Sequence, residues 1–243
     1  MSRRVEVQAA PAGDLAPDAR TPAEWAAYFL RPGTLNLQQQ PPLSLYVHLP
    51  WCLKKCPYCD FNSHGKPDEL PQAAYLAALR ADLEASLPLI WGRHVVSVFI
   101  GGGTPSLFSP DAIAELVQDI RARVPLVPAC EITLEANPGT FERDRFAGYR
   151  QAGVNRLSVG VQSFNDRHLK TLGRVHDAQQ AHAAVEEVAR HFDTFNIDLM
   201  YALPGQSLAE LQQDLDEALA FQPPHLSIYH LTCLLYTSDA ADE

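Results

Sequence analysis

Three cysteines lie within eight residues of one another, at Cys52, Cys56 and Cys59. They are too close together to pair sensibly as structural disulfides, and their thiolates are suitable ligands for a soft metal centre. A [4Fe–4S] cluster held by three cysteines would leave one iron open to a small molecule. A zinc site would instead need a fourth ligand, for which His64 is available. The spacing favours the iron–sulfur cluster, with zinc as the alternative.

A glycine-rich segment, Gly101-Gly102-Gly103-Thr104-Pro105, follows the second apolar run of the chain. Glycine has no side chain, so such a segment lets backbone groups approach a ligand closely. A tight turn without any ligand would explain the glycines equally well. Because the cysteines also follow an apolar run directly, the two segments are expected to meet at one edge of a sheet.

Apolar and β-branched runs alternate with amphipathic stretches from Ser44 onward. Several runs, such as Val95–Ile100, are apolar on both faces, as expected for strands of a parallel sheet that is covered on both sides. The predicted strands are residues 44–49, 95–100, 131–136, 156–161, 195–200 and 226–231.

The stretches between these strands have the apolar spacing of helices. One stripe follows Ser109-Pro110, and another follows the capping-box sequence Ser207-Leu208-Ala209-Glu210. About six βα units result, which predicts an α/β fold in the form of a parallel barrel or part-barrel. In such folds the ligand site lies at the carboxyl ends of the strands. The stripes are Leu76, Leu79, Leu83 and Leu87; Ile113, Leu116, Val117, Ile120 and Val124; and Leu208, Leu211, Leu215 and Leu219.

The overall charge argues against two classes of partner. Lysine and arginine number 19 against 29 aspartate and glutamate residues, which gives a formal charge of −10. Such a chain has no basic surface with which to neutralise nucleic-acid phosphates or bind an anionic membrane. It also lacks a signal-like start and any run of about 18 apolar residues. We therefore expect a cytoplasmic protein with no transmembrane segment and no nucleic-acid partner.

The cysteine loop after the first predicted strand and the glycine segment after the second together resemble the radical S-adenosylmethionine (SAM) superfamily. Five longer segments are more narrowly similar to the heme-chaperone branch of the oxygen-independent coproporphyrinogen III oxidase family. These segments are residues 45–52, 59–64, 135–139, 153–164 and 203–206. The resemblance covers roughly residues 43–232 and implies a partial (β/α)6 barrel, in agreement with the number of predicted βα units.

The resemblance also implies a ligand set. The three cysteines would hold a [4Fe–4S] cluster, and SAM would chelate the fourth iron through its amino and carboxylate groups. Gly102, Gly103 and Thr104 would meet the methionine end of SAM, and Tyr46 would lie near its adenine. A carboxylate suits the ribose hydroxyls, whereas an amide and a guanidinium suit the carboxylate of SAM. The remaining residues implied in SAM binding are Glu135, Gln162, Arg174 and Asp198.

Two functions follow from the resemblance. Oxidase members carry a further cysteine in a CxxxCxxCxC pattern, whereas this chain has Asp60 and Phe61 after Cys59. That departure favours a heme chaperone, which binds heme and passes it to recipient hemoproteins, over decarboxylation of a porphyrinogen with SAM. We interpret His48 as a packed imidazole rather than a donor near the cluster. We assign no heme ligand among the scattered histidines His168, His176, His182, His191 and His225.

The two ends of the chain differ from the predicted core. Residues 1–42 are rich in proline and are interpreted as an irregular extension, in which Thr21-Pro22-Ala23-Glu24 could begin a short helix. Residues 43–232 form the predicted radical SAM core, and residues 233–243 are unlike the family. Because family members continue beyond the sixth strand, we expect a barrel that is truncated there.

Overall fold

The computed structural model describes residues 40–90, 92–139, 143 and 145–231. The elements below belong to the unit Pro42–Glu243. The short helix predicted after Thr21, the tail 233–243 and Cys233 lie outside the described residues. The domain boundaries proposed from the sequence therefore stay predictions.

Six parallel strands of the described chain form one sheet, and two short strands form a separate parallel pair. The sheet contains β1 (Leu43–Leu49), β4 (Val95–Gly102), β5 (Leu126–Ala136), β6 (Arg156–Gln162), β7 (Thr194–Tyr201) and β8 (His225–His230) in that spatial order. The pair consists of β2 (Trp51–Cys52) and β3 (His64–Gly65). Spatial order follows chain order, and β1 and β8 stand at opposite edges of the sheet. The sheet is therefore open.

Helices connect successive strands, as parallel pairing requires. They are α1 (Gln72–Ser86), α2 (Pro110–Arg123), α3 (Phe146–Gln151), α4 (Asp166–Thr171), α5 (Ala178–His191) and α6 (Leu208–Ala220). The predicted α/β fold with six parallel strands is confirmed. No helix in the described part of the chain has both the length and the apolar character needed to span a membrane.

Side-chain caps begin several of these helices at the expected residues. The Ser109 side chain accepts a hydrogen bond from the Ala112 amide at the start of α2. Ser207 and Glu210 form the predicted capping box of α6, and α5 begins with a further capping box that the sequence analysis did not identify. Each cap satisfies an amide that the helix leaves unpaired, worth about 1 kcal/mol.

The apolar core lies between the sheet and its helices. Fully buried side chains include Ile100, Leu134, Val159 and Ile197 from four adjacent strands. Strand side chains alternate between faces, and the opposite face carries polar groups such as Glu135 and Asp198. One face of the sheet thus stabilises the fold, and the other is available for a site.

Strand β5 differs from its predicted extent. It begins at Leu126, whereas the sequence analysis placed its start at Glu131. Leu126 pairs with Val95, and the register shifts between Val95 and Ser97 to accommodate the extra residues. Pairing with the neighbouring strand therefore extends β5 through a segment that contains Pro128 and lacks a clear strand pattern.

Candidate cofactor site

A cavity of about 300 Å³ opens at the carboxyl ends of β4 to β8, beside the cysteine loop. Polar strand-end groups and thiols therefore share one space, as the parallel-sheet rule predicts. The predicted site residues in its lining are Cys52, Cys56, Cys59, Gly102, Gly103, Thr104, Glu135, Gln162, Arg174 and Asp198. Tyr46 is not part of the lining.

The cysteine loop, residues 52–64, is closed at its base by the β2–β3 pair. The His64 amide donates to the Pro50 carbonyl at 2.8 Å, and the Lys66 amide donates to the Cys52 carbonyl at 2.8 Å. Within the loop, Lys55 Nζ donates to the carbonyls of Phe61 and Ser63, both at 3.3 Å. Cys52 is buried, whereas Cys56 and Cys59 are partly exposed toward the cavity.

The cysteine loop and His64 are the candidate ligands for an iron–sulfur cluster or a zinc ion. Within the described residues, no three His, Cys, Asp or Glu side chains lie close enough together to hold a single metal ion. His64 is exposed and does not line the cavity. A zinc ion needs all its ligands around one point, whereas a cluster distributes its thiolates over separate irons. Three thiols from one loop in the lining of one cavity are a donor set that fits the cluster expected from the sequence.

The glycine segment packs against protein rather than presenting free amides. The amides of Gly102, Gly103 and Thr104 donate to Glu135 Oε2, the Leu49 carbonyl and the Trp51 carbonyl, at 3.0, 2.9 and 2.8 Å. A Cβ at Gly103 would lie 2.7 Å from the Trp51 carbonyl oxygen. The absence of side chains here lets β4 approach the start of the cysteine loop. Two of these glycines, Gly102 and Gly103, lie in the cavity wall.

Glu135 ends β5 with its carboxylate in the cavity. Burial raises the pKa of Glu135 to about 7, since the charged form loses water. The hydrogen bond from the Gly102 amide lowers that pKa in part, and the nearby charge of Asp198 raises it. Glu135 therefore changes its charge near neutral pH, and a cationic ligand in the cavity would favour the ionised form.

Asp198 enters the cavity from β7 and is held by neighbouring strands. Its carboxylate accepts hydrogen bonds from Ser158 Oγ at 3.0 Å and Asn196 Nδ2 at 2.7 Å. Burial raises its pKa, and these hydrogen bonds partly oppose the rise. The side chain is thus fixed in direction while its remaining acceptor capacity faces the cavity.

Arg174 supplies the cationic wall of the cavity. Its Nη2 donates to the Gly160 carbonyl at 2.8 Å and to Asn137 Oδ1 at 2.5 Å, and its Nη1 lies 3.7 Å from Cys56 Sγ. Its buried Nε has no hydrogen-bond partner among the described residues. A guanidinium with one unsatisfied donor beside a cavity is well suited to a carboxylate ligand.

Gln162 lies in the cavity wall with an unusual backbone. Its φ is +71°, in the left-handed region that glutamine rarely adopts. The register between β6 and β7 shifts between Val159 and Gln162, so the strand ends in an irregularity at this residue. The distortion places the amide side chain in the wall of the cavity.

Tyr46 and His48 form a linked pair at the edge of the site. The Tyr46 side chain is 57% exposed, and its hydroxyl lies 2.8 Å from His48 Nδ1. His48 Nε2 lies 2.7 Å from the Asn62 carbonyl, which can only accept, so Nε2 carries the proton. His48 is therefore hydrogen-bonded at both nitrogens and links β1 to the cysteine loop, unlike the simply packed imidazole expected from the sequence. The contact of Tyr46 with SAM stays a prediction.

Asn137 and Tyr58 are among the cavity residues that the sequence pattern did not predict. Asn137, just beyond β5, accepts from Arg174 and donates through Nδ2 to Thr104 Oγ1 at 3.0 Å. Tyr58 lies in the cysteine loop, and burial raises its pKa to about 12. Its neighbour Arg174 lowers that pKa, and Cys56 raises it. The strand-end position of Asn137 was an available signal, whereas nothing in the loop sequence distinguished Tyr58.

The site fits a thiolate-bound cluster and an amino-acid ligand on chemical grounds. Three thiols and two strand-end carboxylates line the cavity, and the carboxylates could accept hydrogen bonds from an ammonium or hydroxyl group. The unsatisfied Arg174 Nε provides the complementary donor. Cys130 is buried on β5, and it does not line the cavity.

Comparison with known proteins defines the class of the chain. The sequence profile of the radical SAM superfamily matches residues 46–218. The chain belongs to the radical SAM superfamily, which confirms the resemblance inferred from the cysteine and glycine motifs. Membership implies a [4Fe–4S] cluster and SAM as cofactors.

Individual relatives show which branch of the superfamily the chain resembles. The chain is 53% identical over 193 residues to the heme chaperone HemW of Escherichia coli (strain K12), covering 79% of this chain and 51% of that protein. It is 41% identical over 190 residues to the mitochondrial radical S-adenosyl methionine domain-containing protein 1 of Danio rerio, covering 78% of this chain and 43% of that protein. The predicted similarity to the heme-chaperone branch is confirmed. The chain spans about half the length of the curated relatives it matches.

A solved structure supports the fold. Coproporphyrinogen III oxidase (HemN) from Escherichia coli, described as a radical SAM enzyme, superimposes with a TM-score of 0.72 at 33% identity. The alignment covers 79% of this chain and 44% of the oxidase. The predicted partial barrel is thereby confirmed.

Proposed function

We propose that this chain is the radical SAM core of a heme chaperone. In this proposal Cys52, Cys56 and Cys59 hold a [4Fe–4S] cluster, the cavity binds SAM, and the protein binds heme and transfers it to recipient hemoproteins. The observation that supports the chaperone function most directly is the 53% identity to HemW of Escherichia coli. The cytoplasmic location expected from the sequence stays a prediction.

Different side chains of the cavity would bind different groups of SAM. Arg174, with its unsatisfied Nε, would bind the ligand carboxylate, while Glu135 and Asp198 would accept hydrogen bonds from ammonium or hydroxyl groups. Gln162 would add a neutral amide between these charges. A bound cluster, reduced by an external electron donor, would supply the electron for reductive cleavage of the sulfonium of SAM. The cavity wall would exclude water and fix the ligand beside the thiols.

The oxidase is the second candidate, because a radical SAM coproporphyrinogen III oxidase is 33% identical to this chain. Two residues weigh against it. Asp60 and Phe61 follow Cys59, and the oxidase pattern has a further cysteine at the position of Phe61. Fold and cofactors alone do not determine the reaction, so the test must measure both activities.

The chaperone hypothesis is tested by anaerobic reconstitution followed by iron and sulfide analysis, with SAM and heme titrations on the same sample. A full-length relative is assayed beside this chain, since the alignment with this chain covers only about half of the comparison proteins. We expect heme binding and transfer to an apo-hemoprotein, with no decarboxylation of coproporphyrinogen III in the presence of SAM and reductant. Formation of protoporphyrinogen IX at turnover rates by the full-length protein would overturn the proposal.

A further inference from the structure

The left-handed backbone at Gln162 requires support from its surroundings. A non-glycine residue with φ near +71° is strained, and such a conformation persists only where neighbouring structure enforces it. Gln162 is also a wall residue of the cavity. The groups that hold the backbone on either side of Gln162 therefore control where its side chain lies.

A buried carboxylate holds the backbone after Gln162. Asp214, on α6, is only 2% exposed and does not line the cavity. Its Oδ1 accepts from the Phe164 amide at 2.7 Å, and its Oδ2 accepts from Ser163 Oγ at 2.8 Å. A charge is costly to bury unless its hydrogen bonds are made, and both oxygens here bind the two residues that follow Gln162.

A buried imidazole holds the backbone before Gln162. His176 is 4% exposed, and its Nε2 lies 3.1 Å from the Val161 carbonyl. Because a carbonyl only accepts, Nε2 donates the proton. Burial, followed by the charge of Arg174, lowers the pKa of His176 to about 3, so the ring is neutral and carries a single N–H. His176 also stands two residues after Arg174, so one contact ties the Arg174 segment to the end of β6.

We propose that Asp214 and His176 are positioning residues for the SAM site. Between them they fix the residues on both sides of Gln162 and hold it in the left-handed conformation. Neither side chain touches the cavity, so they act through Gln162 and Arg174. The inference rests on the proposed binding of SAM at this cavity.

The principal variant is Asp214→Asn, which keeps the shape but replaces one acceptor oxygen with a donor. Asp216→Asn is the matched control, because it makes the same change on the same helix at an exposed residue that contacts Gln212. Wild type and both variants of the 243-residue chain are reconstituted. Each is assayed for iron content, thermal midpoint, SAM affinity and the electron paramagnetic resonance spectrum of the reduced cluster with and without SAM.

We expect Asp214→Asn to weaken SAM binding by about tenfold, in the range of supporting residues elsewhere. Its iron content and the cluster spectrum without SAM should match the wild type, while the SAM-induced spectral change should be diminished. Asp216→Asn should match the wild type throughout. A lowered thermal midpoint with wild-type SAM affinity, measured well below that midpoint, would show a purely structural role and overturn the inference.

A second pair of variants keeps the inference falsifiable if Asp214→Asn does not fold. His176→Leu removes the donor to the Val161 carbonyl, whereas His176→Gln retains an N–H at a similar position. We expect weakened SAM binding in His176→Leu and recovery in His176→Gln, and equal affinities would contradict the proposal. If wild-type protein with an intact cluster bound no SAM, the proposed function would fail as well. Wild-type binding with no effect of any variant would overturn this inference alone.

Discussion

The cysteine loop and the strand ends face each other across one cavity, but they are built differently. The strand ends are fixed by sheet pairing, and their polar side chains are already hydrogen-bonded, as Asp198 is to Ser158 and Asn196. The loop is closed by the two-residue strands β2 and β3 and by Lys55. All three of its thiols line the cavity, and those of Cys56 and Cys59 are partly exposed.

This difference indicates separate roles for the sheet and the loop. The sheet supplies a preorganised wall, because folding has already ordered its side chains. The pKa values of its carboxyl groups are shifted from their ordinary values. The loop supplies ligands whose final arrangement depends on what they bind, as is common when metal binding is coupled to folding. Substitutions in the loop should therefore affect cluster retention, and substitutions in the sheet should affect SAM affinity and pH dependence.

The largest effect is expected from the loop thiols. Replacing Cys52, Cys56 or Cys59 with alanine should abolish the visible absorbance of the reconstituted cluster, because each thiolate would bind a separate iron. Cys130→Ala is the control and should leave the absorbance intact, since Cys130 is outside the cavity lining. Stoichiometric zinc without iron uptake by the wild type would contradict this expectation.

The next effect concerns Glu135 and pH. The folded-state pKa of about 7 lies above the ordinary value of 4.5, so the folded state binds protons more strongly than the unfolded state. Its contribution to stability is present at low pH and is lost as pH rises from 4.5 to 7. Relative to Glu135→Gln, cluster-free wild type should lose about 3 kcal/mol of unfolding free energy over that range. Urea denaturation at pH 4.5 and pH 8 measures it, and parallel pH profiles would refute it.

A substitution at Glu135, in the cavity wall, should weaken SAM binding more than a substitution elsewhere on β5. Glu135→Ala should weaken SAM binding by about 1–3 kcal/mol, since it removes a hydrogen-bond acceptor for a charged group. Glu131→Ala provides the control, because Glu131 lies four residues earlier on β5 and does not line the cavity. Equilibrium binding on reconstituted protein measures both, and equal affinities in the two variants would show that the pocket was assigned wrongly.

The smallest effect is expected at Lys55. Lys55→Met removes two long hydrogen bonds to loop carbonyls and should cost less than about 1 kcal/mol in stability. Amide hydrogen exchange of residues 53–63 in cluster-free protein should nevertheless accelerate relative to Lys66→Met, since the Lys66 ammonium donates to the adjacent Pro67 carbonyl. Unchanged exchange in the loop would mean that Lys55 does not order it.

Much of this architecture follows from sequence pattern, and the exceptions have physical causes. The predicted strand 156–161 is found as Arg156–Gln162, because its apolar residues are specified locally by burial on the sheet. The conformation of Gln162 could not be predicted, since the intrinsic preference of glutamine opposes it and distant residues impose it. Asp214 stands among Gln212, Gln213 and Asp216, and only the packing of α6 separates it from those solvent-facing neighbours.

Most of the residues expected to bind the cofactors lie in the cavity wall, whereas Tyr46 lies outside the lining; their contacts with SAM stay predictions. Glu135 and Asp198 lie in the wall because strand ends converge in any parallel sheet. Tyr46 shares the strand pattern, yet its ring stacks beside Phe99 and remains largely exposed. Asn137 follows the end of β5, which is a local signal, but its contact with Arg174 joins residues distant in sequence and could not be predicted from that signal.

The agreement between chain order and spatial order has a consequence for biosynthesis. The thiols are made first, and the opposite wall, which includes Asp198, is made much later. At about 5–20 residues per second, the interval from Cys59 to Asp198 is on the order of ten seconds. During that time a nascent chain would present its thiols without the wall that later faces them. We therefore expect iron and sulfide to be inserted after synthesis of the polypeptide is finished. Before that point, the thiols are most accessible to oxidants.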